Sequence, residues 1–132
     1  PKMEEVLKYV TSHLEEELSV DLLAKRFFIS RYYLMHRFKD VTGYTVHQYI
    51  SQKRLLRAGE LIRQGVPVMK AAEQAGFSDY STFYRAFKQE YQISPKEFVL
   101  RLKENAYQDA SIPRRLRDRL EKGCKAQRHS GQ

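Results

Sequence analysis

The sequence has a single cysteine, Cys124, among its 132 residues, so no disulfide can form within the chain. It contains no apolar run approaching the roughly 18 residues that cross a membrane, and it does not open with a signal-peptide pattern. These absences exclude a disulfide-stapled secreted domain and a membrane-spanning protein. We therefore expect a cytoplasmic protein in a reducing compartment. The first residue, Pro1, suggests a domain cut from a longer chain.

Motifs of the common enzyme classes are also missing. The sequence contains no P-loop, no GxGxxG and no GxSxG. None of its histidines lies three or four residues from another, and Cys124 has no second cysteine with which to form a zinc site. The run Glu15–Glu17 is better explained as the solvated end of a helix than as an acid/base pair. We therefore expect no enzyme, no catalytic residue, no metal and no cofactor.

Positive charge is in excess, but it is unevenly distributed. The formal net charge is +8, from 24 basic and 16 acidic residues. Residues 1–18 carry two lysines against five glutamates, residues 19–100 carry 13 basic against 7 acidic residues, and residues 101–132 carry 9 against 4. Much of the excess therefore lies near the C-terminus, where residues 106–132 are poor in apolar side chains. We expect this segment to be a basic, flexible extension.

Helical periodicity dominates the sequence up to about Val99. The first predicted helix is amphipathic, because five apolar residues lie on one of its faces. Further helices are predicted over 20–26, about 30–42, 45–64, 68–75 and about 79–91, with another from residue 94. Gly43 is expected to end the helix over about 30–42 in a left-handed conformation. Because no segment alternates as a strand does, the fold class is all-α. The first apolar face consists of Met3, Val6, Leu7, Val10 and Leu14.

The sequence repeats itself when it is shifted by 49 residues, or by 48 further upstream. Each copy is a short helix, a tight turn and a longer helix. We name them the first copy (about residues 1–45) and the second copy (about 66–105), and the helix between them, about 46–64, the linker helix. At a shift of 49 the matches are Leu34/Phe83, Phe38/Phe87, Lys39/Lys88, Thr45/Ser94, Gln48/Glu97, Tyr49/Phe98 and Ile50/Val99; at 48 they are Leu23/Ala71, Ala24/Ala72, Ile29/Phe77 and Ser30/Ser78.

Two of these matches predict helix starts. Thr45 with Gln48, and Ser94 with Glu97, have the spacing of a capping box, and Pro95 suits the first position of a helix.

The longer helix of each copy has one face that is not predicted to be buried in the core. Burial is predicted for Leu34, Phe38 and Val41 in the first copy and for Phe83, Ala86 and Phe87 in the second. A short helix that braces a longer one with a free polar face is the helix-turn-helix arrangement of DNA-binding proteins. We name the free faces the first recognition face (Tyr32, Met35, His36 and Lys39) and the second recognition face (Ser81, Tyr84, Arg85 and Lys88).

Residues in both copies and on the linker helix together form one pattern. They are Ala72, Gly76, Phe77, Ser78, Asp79, Ser81, Phe83, Arg85, Phe87, Lys88, Ser94 and Pro95 in the second copy, Leu34, Phe38, Lys39 and Gly43 in the first copy, and Tyr49, Arg54, Ala58 and Leu61 on the linker helix. On these residues, the stretch from about Ser19 to Phe98 resembles the DNA-binding domain of AraC/XylS-type bacterial transcription regulators. Two positions depart from that family's pattern: Arg37 stands where an apolar residue is usual, and Gln92 where glycine is frequent.

The resemblance implies seven helices over residues 1–105, with two helix-turn-helix subdomains joined by the linker helix, before the extension 106–132. It implies a sequence-specific regulator of transcription whose two recognition helices enter adjacent major-groove segments of double-stranded DNA, roughly 10 base pairs apart. Because the copies run head to tail, we expect an asymmetric site. The family further favours an activator that contacts RNA polymerase, and Pro1 is compatible with a missing N-terminal effector or dimerisation domain.

Residue types suggest separate roles on the recognition helices. Arg85 can donate two hydrogen bonds to guanine, His36 can donate or accept, and Met35 offers apolar contact to a thymine methyl. Arg85 as a phosphate clamp, and the two tyrosines as packing residues, remain open alternatives. The base-contacting candidates are Tyr32, Met35, His36, Ser81, Tyr84 and Arg85, and the phosphate-contacting candidates are Arg31, Arg37, Lys39 and Lys88.

Two other functions remain open from the residues alone. The exposed tyrosine and methionine faces could bind a protein partner, and such an apolar interface would respond weakly to salt, whereas DNA binding would fall steeply with it. A basic membrane-surface helix over residues 113–122 is the weaker alternative, because that segment has no clear apolar face. We expect no membrane partner.

Overall fold

The structure, a computed structural model, describes residues 2–108 and Arg115. All regular structure in this part of the chain is helical, which confirms the predicted all-α fold with seven helices. The segment 113–122, Cys124 and most of the predicted extension lie outside the described residues. The helices are α1 (Lys2–Ser12), α2 (Val20–Arg26), α3 (Arg31–Thr42), α4 (Val46–Arg63), α5 (Val68–Gln74), α6 (Tyr80–Tyr91) and α7 (Pro95–Gln108).

Two separate hydrophobic cores form, and the linker helix α4 takes part in both. Its N-terminal half contributes Val46 and Ile50 to a core built with α1, α2 and α3. Its C-terminal half contributes Leu55, Ala58 and Ile62 to a core built with α5, α6 and α7. Burial of these apolar side chains is the main force that holds each copy together. The remaining buried residues are Met3, Val6, Val10, Leu14, Leu23, Ala24, Leu34 and Phe38 in the first core, and Ala71, Ala72, Ala75, Phe83, Phe87 and Phe98 in the second.

Side-chain caps begin most of the helices where the sequence predicts. The Thr45 hydroxyl accepts from the Gln48 amide at 3.1 Å, and the Gln48 side chain accepts from the Thr45 amide at the same distance, so the first capping box is complete. The second capping box is half formed. The Ser94 hydroxyl accepts from the Glu97 amide, but the Glu97 carboxylate pairs with Arg101, one turn further along α7, at 3.1 Å.

The two copies end their helices with the same hydrogen-bond patterns. In the first copy the amides after α2 donate back from Phe28 to Lys25 and from Ile29 to Ala24. The equivalent bonds after α5 run from Gly76 to Glu73 and from Phe77 to Ala72, so both short helices end in a Schellman motif. The longer helices each end with one bond to the carbonyl four residues earlier, in which Gly43 donates to Lys39 and Gln92 to Lys88.

Two expectations about individual residues are wrong. Val41 was expected in the buried stripe of α3 but is 48% exposed, because it lies in the last turn, where the chain leaves the core through Gly43. The match of Ser30 with Ser78 also fails in three dimensions. The residue that caps α6 is Asp79, so Asp79 is the counterpart of Ser30 and Ser78 is the additional residue of the second turn.

Candidate nucleic-acid interface

The first recognition face is presented by α3, whose start is fixed by Ser30. The Ser30 hydroxyl accepts from the Tyr33 amide at 3.0 Å, which satisfies one of the free amides of the first turn. The opposite face of α3 is held by Leu34 and Phe38, both fully buried. The first recognition face is therefore exposed along its whole length: Tyr32, Met35, His36 and Lys39 are all accessible.

Two contacts shape the solvent side of α3. The rings of Tyr32 and His36, one turn apart, lie with their centroids 4.0 Å from each other, so they form one aromatic surface although Tyr32 is 73% exposed. Arg31 donates from Nε to the Asp21 carboxylate of α2 at 2.8 Å. Arg31, a phosphate-contacting candidate, thus already has an acidic partner at its Nε. The Arg31 side chain, which also carries the two terminal amino groups, is nevertheless exposed.

The second recognition face is presented by α6, which begins at Asp79. The Asp79 carboxylate accepts from the Thr82 amide at 2.8 Å and from the Thr82 hydroxyl at 2.9 Å. The hydrogen bond from the Thr82 amide is the largest cause that lowers the pKa of Asp79 below its ordinary value, and the positive charge of Arg85 lowers this pKa further. Asp79 therefore stays ionised at the positive N-terminal end of the helix.

On α6, Phe83 and Phe87 are fully buried and Ala86 is partly buried against the second core. Tyr84 is 36% exposed, and the centroid of its ring lies 6.3 Å from that of Tyr80. The predicted division of the helix into a buried and a free face is thus confirmed. The exposed residues of the second recognition face are Ser81, Tyr84, Arg85 and Lys88.

The remaining phosphate-contacting candidate, Arg37, is exposed on α3, which removes the conflict raised by an arginine where the family prefers an apolar residue. Nothing in the local sequence pattern indicated the pair between Arg31 and Asp21. Its partners lie on different helices, ten residues apart, and only the angle between α2 and α3 brings them together.

An open cleft of about 500 Å³ separates the two copies on the side where α3 ends and α6 passes. Its walls come mainly from the start of α4 and from α6, and they mix polar and apolar side chains. Gln52 of α4 donates to the Glu90 carboxylate of α6 at 2.8 Å across this region. None of the residues that line the cleft belongs to the first or second recognition face.

Two other kinds of partner, a membrane and a metal ion, each require a specific structural feature. Within residues 2–108 and Arg115, no helix has both the length and the apolar character needed to cross a bilayer. In the same residues no three His, Cys, Asp or Glu side chains gather into a group that could hold a metal ion.

The fold and both helix-turn-helix units can be compared with known proteins. The family described as a helix-turn-helix domain matches residues 23–101, more than half of the chain. The regulatory protein SoxS of Salmonella typhimurium is 33% identical over 98 residues, which cover 74% of this chain and 92% of SoxS. The chain belongs to the AraC-type family of DNA-binding transcription regulators. The expectation that it is not an enzyme is confirmed by this membership.

Other AraC-type relatives extend the comparison. The regulatory protein PocR of the same organism is 29% identical over 107 residues. This match covers 80% of the present chain but only 35% of PocR, so the chain spans about a third of that relative's length. Among solved structures, the DNA-binding domain of the global transcriptional factor AdpA, in complex with a target DNA, matches with a TM-score of 0.75 and 26% identity. That match covers 81% of this chain and 97% of the AdpA domain.

Proposed function

We propose that this AraC-type chain recognises an asymmetric site on double-stranded DNA by placing α3 and α6 in adjacent major-groove segments, and that it activates transcription. The observation that carries the proposal is that the two copies share the same arrangement of a long helix on its core. Each has a long helix with one face buried in its own core, an N-terminal cap and an opposite face that is exposed. The AdpA domain, which was solved on its target DNA, supports duplex DNA as the ligand.

Base contacts are assigned to the middle of each recognition face. Arg85 is the strongest candidate, because a guanidinium that donates twice to guanine is worth about 1–3 kcal/mol of discrimination. His36 and Met35 serve the other block. Tyr84 lies beside Arg85 at the position that matches Met35, and Tyr32 and Ser81 lie at the N-terminal edges of the two faces. Phosphate contacts are assigned to Arg37, Lys39 and Lys88, and to Arg31 through the amino groups that Asp21 does not bind.

Residues 1–105 constitute the DNA-binding domain in this proposal, and 106–132 add sequence-independent attraction to phosphate. The family favours contact with RNA polymerase, with an N-terminal effector or dimerisation domain as a further candidate, and a cytoplasmic location. Transcription in vitro from a promoter that carries the selected site tests the activator role. RNA yield should rise with added protein, and a fall would assign a repressor.

Selection of bound duplexes from a random pool of about 30 base pairs, at near-physiological salt, tests sequence-specific recognition directly. We expect an asymmetric motif with two blocks about one helical turn, or 10 base pairs, apart. A single block would mean that one recognition helix alone contacts bases. Loss of all enrichment, with binding that vanishes as salt rises, would contradict the proposal. Salt-insensitive binding to a protein would favour the partner-binding module instead.

Three substitutions test the proposed roles of individual residues in contacting bases or phosphates. Arg85→Ala should relax base preference in one block of the selected site, and His36→Ala in the other, about 10 base pairs away. Lys39→Ala should weaken binding to all sequences about equally, because a phosphate contact carries no base information. If Arg85→Ala and His36→Ala both left the selected motif unchanged, these two assignments would be wrong.

A further inference from the structure

The two copies have no core in common, so their relative orientation is set where they meet along α4. The first core ends on α4 at Ile50 and the second begins at Leu55. Among the described helices, those of the first copy pack on α4 rather than extensively on α5, α6 or α7. What joins the copies besides the backbone of α4 must therefore lie close to the short segment between these two residues.

Arg54 lies in that segment and binds the backbone of the first copy. Its Nε donates to the carbonyl of Leu14 at 3.0 Å, and its Nη2 donates to the carbonyl of Glu16 at 2.9 Å. Both acceptors belong to the loop between α1 and α2. The guanidinium is half-buried, and this burial lowers the pKa of Arg54. Two donors that leave one planar group in fixed directions hold the loop at a defined angle to α4.

The turn of the second copy touches the same point. A Cβ built on Gly76 would overlap the Leu14 carbonyl oxygen and would lie 2.7 Å from Arg54 Nε. The absence of a side chain at Gly76 thus lets the turn between α5 and α6 approach the α1–α2 loop until their backbones are in contact. Residues of both copies also line one shared recess here, including Leu18 on one side and Phe77 on the other.

We propose that Arg54 is a positioning residue that fixes the two recognition helices relative to each other, and so sets the spacing of the two DNA blocks that one chain can bind at once. The proposal rests on the two-helix binding proposed above. The loop that Arg54 holds leads directly into α2, which braces α3, and the turn at Gly76 leads directly into α6. A change in this junction therefore reaches both recognition helices.

Loss of the junction should affect joint binding far more than binding by one helix. When two contacts are rigidly arranged, the second forms at a high effective concentration, and loosening the arrangement reduces it. Arg54→Gln, which keeps a polar side chain but loses the fork, should therefore lower affinity for the two-block duplex by about tenfold while affinity for single-block duplexes stays within about twofold. It should also flatten the preference among duplexes whose spacer is lengthened or shortened by one base pair.

The matched control is Arg57→Gln, which removes an exposed arginine one turn further along α4 and should leave the spacing profile unchanged. Arg54→Lys, which keeps the charge without the planar fork, should lie between wild type and Arg54→Gln, and it replaces Arg54→Gln if that variant does not fold by circular dichroism. Equal losses on two-block and single-block duplexes, with an unchanged spacing profile, would overturn the positioning role.

A measurement without DNA separates this inference from the proposed function. Spin labels on Asp40→Cys and Gln89→Cys, in a full chain that carries Cys124→Ser, report the distance between α3 and α6. We expect a single narrow distance distribution, and a broader one when Arg54→Gln is added. A distribution that Arg54→Gln does not change would overturn the positioning role even if two-block binding were observed. A broadened distribution in a chain that binds no two-block site would contradict the proposed function alone.

Discussion

The two copies adopt left-handed backbone at the same two points, but they exchange the point at which glycine stands. After the short helix, the left-handed residue is Phe28 in the first copy, with φ 56°, and Gly76 in the second, with φ 106°. After the longer helix it is Gly43 in the first copy, with φ 80°, and Gln92 in the second, with φ 64°. Each copy thus has one glycine and one strained residue.

The helix-ending hydrogen bonds are the same in both copies, but only at Gly76 do neighbouring atoms require a glycine. Gly76 touches the Leu14 carbonyl, so no side chain fits there. Phe28 has the same hydrogen bonds but lies 91% exposed, so its ring meets no obstacle. A left-handed conformation costs a non-glycine residue about 1–2 kcal/mol, which a buried core can offset. A backbone collision cannot be offset in this way.

The largest expected effect compares the two glycines. Gly43→Ala and Gly76→Ala both place a Cβ on left-handed backbone, which should lower the free energy of unfolding by about 1 kcal/mol in each case. Gly76→Ala adds a collision with backbone and should cost about 1–3 kcal/mol more, whereas nothing lies within 4 Å of a Cβ at Gly43. Urea unfolding of both variants measures the difference. Equal losses would mean that the approach at Gly76 does not constrain the fold.

A smaller effect of opposite sign is expected at the two strained positions. Phe28→Gly should raise the free energy of unfolding by about 0.5 kcal/mol, because relief of the left-handed cost exceeds the entropy of the added glycine. Gln92→Gly should raise it less, since the Gln92 side chain donates to the Gln89 carbonyl at 2.8 Å and this bond is lost. Thermal unfolding measures both. A decrease for Phe28→Gly would show that the exposed ring stabilises the fold.

The smallest expected effect is a pH dependence that the N-terminal cap of α6 should show and the N-terminal cap of α3 should not. Because its pKa is lowered in the folded state, the ionised Asp79 stabilises α6 above its unfolded pKa, and this contribution is lost as pH falls through the folded pKa, below about pH 4. Ser30 caps α3 with a hydroxyl, which does not titrate there. The Thr82 amide resonance should therefore move between pH 6 and 2 while that of Tyr33 does not, and Asp79→Ser should abolish the movement. Parallel movement of both resonances would contradict it.

Local sequence rules predicted the helices and both recognition faces well, because each depends on spacing within one segment. The buried sides of α3 and α6 followed from Leu34, Phe38, Phe83 and Phe87 alone. The contacts of Arg54 with the α1–α2 loop were not predictable in this way, since they join residues about forty positions apart and no repeat of the sequence encodes the angle between the copies. The predicted burial of Val41 was wrong for a related reason. Periodicity assigns a residue to one face of a helix but does not show where along the helix the core ends.

The division of α4 between two cores also has a thermodynamic consequence. If the first copy unfolded alone, the α4 segment from Val46 to Ile50 would lose its core and become a helix end in water, where short helices are marginal. Unfolding of either copy therefore weakens the helix on which the other is built, and the two should melt together. If the proposed two-helix binding holds, a duplex bound to one recognition helix should by linkage raise the free energy of unfolding of the whole domain, so each half of the site would stabilise the half of the protein that does not touch it.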